Sequence, residues 1–498
     1  MKKYLTLLVL LLPFISFSQN RVQQYVDSKM KTAPDVRNAA VALLAVDEED
    51  RIVASWNKDM PLLTASTLKT VTTGLGYRIL GPEYRFKTVI AYDGSVTDGI
   101  LDGDLYIVGG GDPTLGSRDT LALPIDMVFA HWAEAVRKAG IDSICGLIVA
   151  DDRIFAKEEI PQNWVYGDIG YYYGSGTSGL NFCENTSLFS LAPGIEPGDP
   201  VSVNRVYAVF PQLETDDSEL ITGEAGTGDL SQYYASALAP VSKFSGTYAV
   251  DRKKDTIAFS NKYAPETCAA EFRAYLERTG IHSEGSVGVS VLSKAGFAAV
   301  PDSLVPVDTT YSPALKRIVK VTNTISNNFF AETIYKTIGK ALMDASDGKD
   351  HLGVTYSQAS EAITGYLQSQ NLSLAGYCQD DGCGLSRNNF LSPDFFCRFY
   401  KWMQGADDFA GYLASFPQPG RPGTLKGVLR NADRPTRNAI HAKSGTMTGV
   451  RCYSGYVDTG HGYIRFAILF NNFSCPTRQM QPYLEGFLTQ LSLYAQGK

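Results

Sequence analysis

Ser66, Lys69, Ser326, Asn328 and Lys443 have the residue types, and the order along the chain, that serine acyl transfer needs. Ser66-Thr67-Leu68-Lys69 sets a hydroxyl and an amine three residues apart, and on a helix such residues share a face about one turn apart. A lysine that gives up its own proton can accept the serine's, which turns a weak nucleophile into a strong one. Ser326-Asn327-Asn328 adds a second hydroxyl and an amide, and Lys443-Ser444-Gly445-Thr446 adds a cation, two hydroxyls and a glycine. Each pattern alone is weak, since Ser28-Lys29-Met30-Lys31 also reads Ser-x-x-Lys and Ser386-Arg387-Asn388 also reads Ser-x-Asn. Lys-[Ser/Thr]-Gly occurs once, however, and a single choice puts all three in order with the right surroundings.

The neighbouring elements suit that chemistry. Leu68, Val71, Leu75 and Ile79 recur at helical spacing and Gly81-Pro82 stops the run, so the pattern predicts a helix over Thr67 to Leu80. Ser66 then sits at a helix N-terminus, where free N–H groups and the dipole favour developing negative charge. Ser326-Asn327-Asn328 leads into a helix at Phe329. Ile464 to Phe470 reads as a buried strand, and Gly445 would let a substrate backbone lie against the strand edge. The bland alternatives are an N-cap serine with a solvated lysine, an Asn-rich helix start and a charged edge strand with a glycine bulge.

Ser66 and Ser326 are 260 residues apart, far more than two walls of one site need for a connection. Hairpin patterns begin after Phe86: Val89, Ile90 and Tyr92 run into Asp93-Gly94, and Asp102-Gly103 turns into Leu105 to Val108. Further strand-like runs lie at Leu147 to Val149, Val201 to Val203 and Val287 to Leu292, and helical periodicity returns from Tyr311 to Lys340. The expected organisation is one discontinuous catalytic domain, 19–85 plus 305–498, interrupted by a β-rich insert. At ~150 residues per domain a chain of 498 residues accommodates about three.

Lys2 and Lys3 precede an apolar run from Leu5 to Phe17, with small residues before Gln19. This reads as a signal peptide over 1–18, too short to span a membrane, and predicts an exported, periplasmic protein without a transmembrane anchor. Net charge is −7, which disfavours nucleic acid as a partner. The eight Cys match no zinc spacing; free buried thiols are favoured, although Cys378 and Cys383 are close enough in sequence to pair. The five His include no His-Glu-x-x-His, and no Gly-x-Ser-x-Gly or phosphate-loop lysine is present, so neither metal nor cofactor is expected. Gly109-Gly110-Gly111-Asp112-Pro113 reads as a tight turn and Asp151-Asp152 as a loop or cap.

Taken together, these residues resemble the low-molecular-mass class C penicillin-binding proteins, the D-alanyl-D-alanine carboxypeptidase/endopeptidase family. Pro61 to Lys69, Leu80 to Thr88, Gly110 to Leu115, Asp381 to Arg387, Gly423 to Lys426 and His441 to Thr446 carry the resemblance, over nearly the whole chain beyond the leader. It implies an α/β, transpeptidase/β-lactamase-like catalytic domain with helices around a central antiparallel sheet. The large β-rich insertion would form two smaller domains: domain II over 86–183 and 261–304, interrupted by domain III over 184–260. Asn327 stands where the family usually has Asp, Ser444 keeps the hydroxyl of the usual Thr, and Cys383 replaces a common Ser.

The resemblance implies the chemistry as well. Ser66 would attack the penultimate D-alanine carbonyl of peptidoglycan stem peptides, and β-lactam antibiotics would bind as covalent inhibitors. Lys69 would be the base, its pKa depressed by Lys443 and by burial. Ser326 would pass a proton to the leaving amine and Asn328 would hold the substrate amide. Lys443, Ser444 and Thr446 would bind the terminal carboxylate, with the N–H groups of Ser66 and Thr446 as oxyanion hole. Asp151 matches a position proposed to meet the amine of the third stem residue. The rivals are a serine β-lactamase on the same core and a catalytically silent peptidoglycan-binding protein.

Overall fold

The computed structural model describes residues 20–158, 160–290, 300–301 and 303–498. The signal segment 1–18 lies outside the described residues, as do the last two positions of the strand-like run Val287 to Leu292.

A five-stranded antiparallel sheet forms the centre, in the order Ile52–Trp56, Ala40–Val46, Tyr463–Asn471, Val450–Asp458, Ile440–Met447. An early strand thus pairs with a late one, Val41 opposite Phe470, and the two sequence-distant parts close one sheet. Side chains alternate across a strand. Phe466, Ile468 and Phe470 therefore face helices Arg21–Thr32 and Thr477–Ala495, meeting Val22, Val26, Leu484 and Leu488. Ala467 and Leu469 face the opposite core, built on helices Lys69–Ile79, Leu315–Ile325, Asn328–Asp347 and Pro393–Gln404. The expected strand Ile464 to Phe470 is present and one residue longer at each end.

Between the two parts lies a second five-stranded sheet, ordered Val287–Ser290, Ile148–Asp151, Leu105–Gly109, Lys87–Tyr92, Val305–Tyr311. Its first three strands are parallel and its last two pair antiparallel. Tyr311, expected to open a helical stretch, ends the strand that pairs with Lys87–Tyr92, and the helix starts at Leu315. Two helices that strand-centred reading overlooked, Ile125–Lys138 and Ala264–Arg278, cover this sheet through Phe129, Trp132 and Phe272. Two three-stranded sheets between Thr186 and Ser260 enclose a core of Phe189, Tyr233, Phe244 and Phe259. All eight cysteines are free thiols. Among the described residues no helix is long and apolar enough to cross a membrane.

Candidate active site

The nucleophile segment starts with strain. Ala65 has φ +43°, and a 3₁₀ turn over Ala65–Leu68 feeds directly into helix Lys69–Ile79. The expected helix is thus present, with its first turn tightened. Thr67 Oγ1 donates to Thr64 O at 2.7 Å and pins the turn. Lys69 is fully buried. Its Nζ lies 2.9 Å from Ser66 Oγ and donates to Asn328 Oδ1 at 2.7 Å and to the Cys383 carbonyl at 2.8 Å. Burial pushes its pKa below the usual 10.5, while Cys383, Asp381 and Glu332 act in the opposite direction. The expected depression of Lys69 is thus carried by burial, and the repulsion between the two lysines appears on Lys443.

The second element comes from a break between helices. Ser326 caps helix Leu315–Ile325 in the left-handed region, φ +63°. Asn327 then caps the next helix, accepting from Phe330 N at 2.9 Å, and its Nδ2 donates to Glu184 at 2.9 Å. This left-handed turn aims Ser326 at the edge strand, where Lys443 Nζ donates to Ser326 Oγ at 2.9 Å. Asn328 Nδ2 donates to Tyr173 O at 2.9 Å. Lys443 is completely buried, and its pKa is driven well down by burial, then by Lys69 and Arg451.

Gly445 also has a purpose inside the protein. A Cβ there would lie 2.6 Å from Thr64 O and 3.0 Å from Ser66 N, so the glycine lets the strand press against the nucleophile turn itself. Ser444 is nearly buried, and Thr446 accepts from Arg451.

Ser66, Asn328 and Thr446 line a cleft of about 340 Å³, together with Asp168, Tyr173 and Arg387. Ser326 opens into an adjoining cleft that shares Tyr172, Tyr173 and Asn328 as its wall. Asp151 is not in either cleft. It is buried at the end of strand Ile148–Asp151, its carboxylate accepts from Arg153 Nε and Nη2 at 2.8 Å, and it lines a separate cavity of about 530 Å³. The inserted region's carboxylate in the Ser66 cleft is Asp168, which accepts from Tyr173 OH at 3.2 Å. The run Tyr171-Tyr172-Tyr173 was the available signal for this wall. The chance motifs lie elsewhere: Ser28 is exposed on the first helix, and Ser386 is buried with its Oγ donating to Asp380.

A second layer, also missed from the sequence, supports Lys69. Asp381 accepts from the N–H groups of Cys383, Gly384 and Ser386, from Asn389 Nδ2 and from Trp164 Nε1 at 2.6–3.1 Å. Trp164 belongs to the inserted segment, so one carboxylate ties that segment to the loop holding Lys69. A lysine whose N–H groups are taken by two carbonyls, beside a serine hydroxyl, can accept a proton from that hydroxyl.

A protein-family model described as the D-Ala-D-Ala carboxypeptidase 3 (S13) family matches residues 22–490. A D-alanyl-D-alanine carboxypeptidase of Actinomadura sp. (strain R39) is 28% identical over 426 residues, 83% of this chain and 74% of the relative. D-alanyl-D-alanine carboxypeptidase DacB of Haemophilus influenzae is 22% identical over 433 residues, 86% and 84% of the two chains. The crystal structure of penicillin binding protein 4 from H. influenzae superposes with TM-score 0.78 at 20% identity, over 95% of this chain and 98% of that one. Its complex with a novel β-lactam gives 0.74 at 20% identity over the same shares.

Proposed function

The chain belongs to the D-Ala-D-Ala carboxypeptidase 3 (S13) family, and from that premise we propose how its own residues carry the reaction. The activity is that of a serine D-alanyl-D-alanine carboxypeptidase/endopeptidase. In our reading Ser66 is the nucleophile and Lys69 the base. The observation that carries this is the 2.9 Å approach of Lys69 Nζ to Ser66 Oγ, with Asn328 Oδ1 and Cys383 O occupying its other directions. A neutral amine has two N–H groups and one lone pair. Two carbonyls satisfy the N–H groups, which leaves the lone pair for the Ser66 hydroxyl.

Ser66 Oγ bonds to the penultimate D-alanine carbonyl carbon as its proton passes to Lys69. The oxyanion is received by the N–H groups of Ser66 and Thr446. The C–N bond then breaks, and the leaving amine takes the proton that Lys69 received, relayed through Ser326, which Lys443 holds. Water cleaves the ester and restores Ser66. Burial disfavours a lone cation at Lys443, and a substrate carboxylate beside it would restore the charged form and bind to it, with Ser444 and Thr446 alongside. Asn328 holds the substrate amide, and Gly445 sets the strand at contact distance. For the amine of a third stem residue we place Asp168, in place of Asp151, because Asp168 lines the Ser66 cleft.

β-Lactams follow the same route to an acyl-Ser66 adduct. We read the protein as exported to the periplasm, supported by the Lys2–Phe17 leader pattern, and the inserted region as a substrate wall organised as domains II and III. Incubation with a fluorescent penicillin followed by denaturing electrophoresis tests the reading. Stable labelling supports it, rapid turnover indicates a β-lactamase, and no labelling indicates a silent binder.

A further inference from the structure

Glu332 has no part in the mechanism above, yet its carboxyl lies directly beneath the site. It sits one helical turn after Asn328 on helix Asn328–Asp347, hence on the same face. The residue is completely buried. Its Oε2 accepts from the Gly382 amide at 3.2 Å, while Oε1 is buried with no hydrogen-bond partner. Carboxyl atoms of Glu332 and Asp381 and the Cys383 sulfur all lie within 4.8 Å of one another. This places the carboxyl behind the turn whose Cys383 carbonyl accepts from Lys69.

We propose that Glu332 is a positioning residue for Lys69: its carboxyl braces the Gly382–Cys383 turn against the lysine, and its charge state decides how readily Lys69 keeps a proton. The inference rests on Lys69 being the base. Even with the Cys383 thiol and the Tyr356 hydroxyl bonded to the carboxyl, its Oε1 lacks a hydrogen bond, and an ionised carboxylate is poorly compensated in a dry interior. Several groups face this carboxyl: Lys69 from its own helix, Asp381 and Cys383 from the turn, Tyr356 from the following helix and Tyr335 from Glu332's own helix. Burial, reinforced by Asp381, raises the Glu332 pKa to about 8, against the Cys383 thiol, the Gly382 amide and Lys69, which lower it. The carboxyl is therefore mostly neutral at pH 7, when it adds little pull on the lysine's proton. In its ionised form it raises the Lys69 pKa. The two groups titrate as a coupled pair.

Glu332→Gln tests this, because it keeps shape and hydrogen bonding but removes the ionised form. The rate of acylation by a fluorescent penicillin, followed from pH 5 to 9, should show the upper part of its acid limb, where the wild-type carboxyl ionises, displaced toward lower pH by a few tenths of a unit or more. A merely structural role would lower the rate at every pH and leave the limb in place. An unmoved limb, or one displaced upward, overturns the proposal. If Glu332→Gln does not fold, Glu332→Asp keeps an acid but draws the carboxyl back from the Gly382–Cys383 turn by one methylene and should move the limb the same way by less; no movement overturns the proposal equally. A wild-type protein that is not acylated at all would instead defeat the reading of Ser66 and Lys69.

Discussion

Gly445→Ala offers the sharpest structural prediction. The added Cβ would stand 2.6 Å from the Thr64 carbonyl oxygen and 3.0 Å from both Ala65 Cβ and Ser66 N. Two of these atoms belong to backbone and cannot rotate away. To regain ordinary contact, strand Ile440–Met447 and the Ala65–Leu68 turn must separate by close to an ångström. The strand is held on its other side by pairing with Val450–Asp458, so the nucleophile turn takes part of the displacement. A misplacement of about 1 Å in a reacting group costs roughly 10²-fold in rate, equivalent to about 2.7 kcal/mol. Overpacking should also lower folding stability by about 1–3 kcal/mol. The assay pairs the second-order rate of acylation by a fluorescent penicillin with a thermal melt. Near-normal acylation with an unchanged melt would refute the reasoning, because it would mean that strand and turn can part without consequence. A lower melt with unchanged acylation would place the strain away from Ser66.

Lys69→Arg should retain the fold and lose acylation by 10²-fold or more, since guanidinium stays protonated. In the wild type acylation should rise with pH through a Lys69 pKa that burial places below 10.5, and a flat profile would remove Lys69 from the base role. Asp168→Asn should lower kcat/KM several-fold on peptides with a free amine at the third residue, as a half-exposed ion pair allows; acylation by a small penicillin should hardly change. Asp151→Ala should reduce stability by about 1–3 kcal/mol by leaving the partly buried Arg153 without its acceptor, with the rate of penicillin labelling intact; a selective loss on peptides would return Asp151 to the substrate. Glu332 has a folded pKa of about 8 against an ordinary 4.5, so its favourable contribution is complete below about pH 4.5 and is lost as pH rises through about 8. Glu332→Gln should accordingly lose less stability than the wild type between those limits in a pH series of thermal melts.

What the sequence disclosed followed from local periodicity. Phe466, Ala467, Ile468 and Leu469 alternate without a break, so the central strand was legible. Leu68, Val71 and Leu75 share a stripe, so the nucleophile helix was too. Lys69 gathers Ser66 and Asn328, and Lys443 holds Ser326 in the adjoining cleft, because each motif sits at an element end or edge. Other features depend on tertiary placement. Ile125–Lys138 and Ala264–Arg278 lie among strand-like runs and were passed over. Tyr311 belongs to a strand only because Lys87 pairs with it. Asp151 and Asp168 are both acids of the inserted region, and sequence gives no measure of which one reaches the cleft. Asp381 and Glu332 act through distant partners, Trp164 and the Gly382 amide, which no spacing in the chain reveals.

The central claim is that Ser66 forms the acyl-enzyme. Intact-protein mass spectrometry after exposure to benzylpenicillin, followed by peptide mapping, tests it most directly. One penicillin should add per chain, on the peptide containing Ser66, and Ser66→Ala should carry none. No adduct on the folded wild-type protein, or an adduct on Ser28 or Ser326 that survives Ser66→Ala, would contradict it.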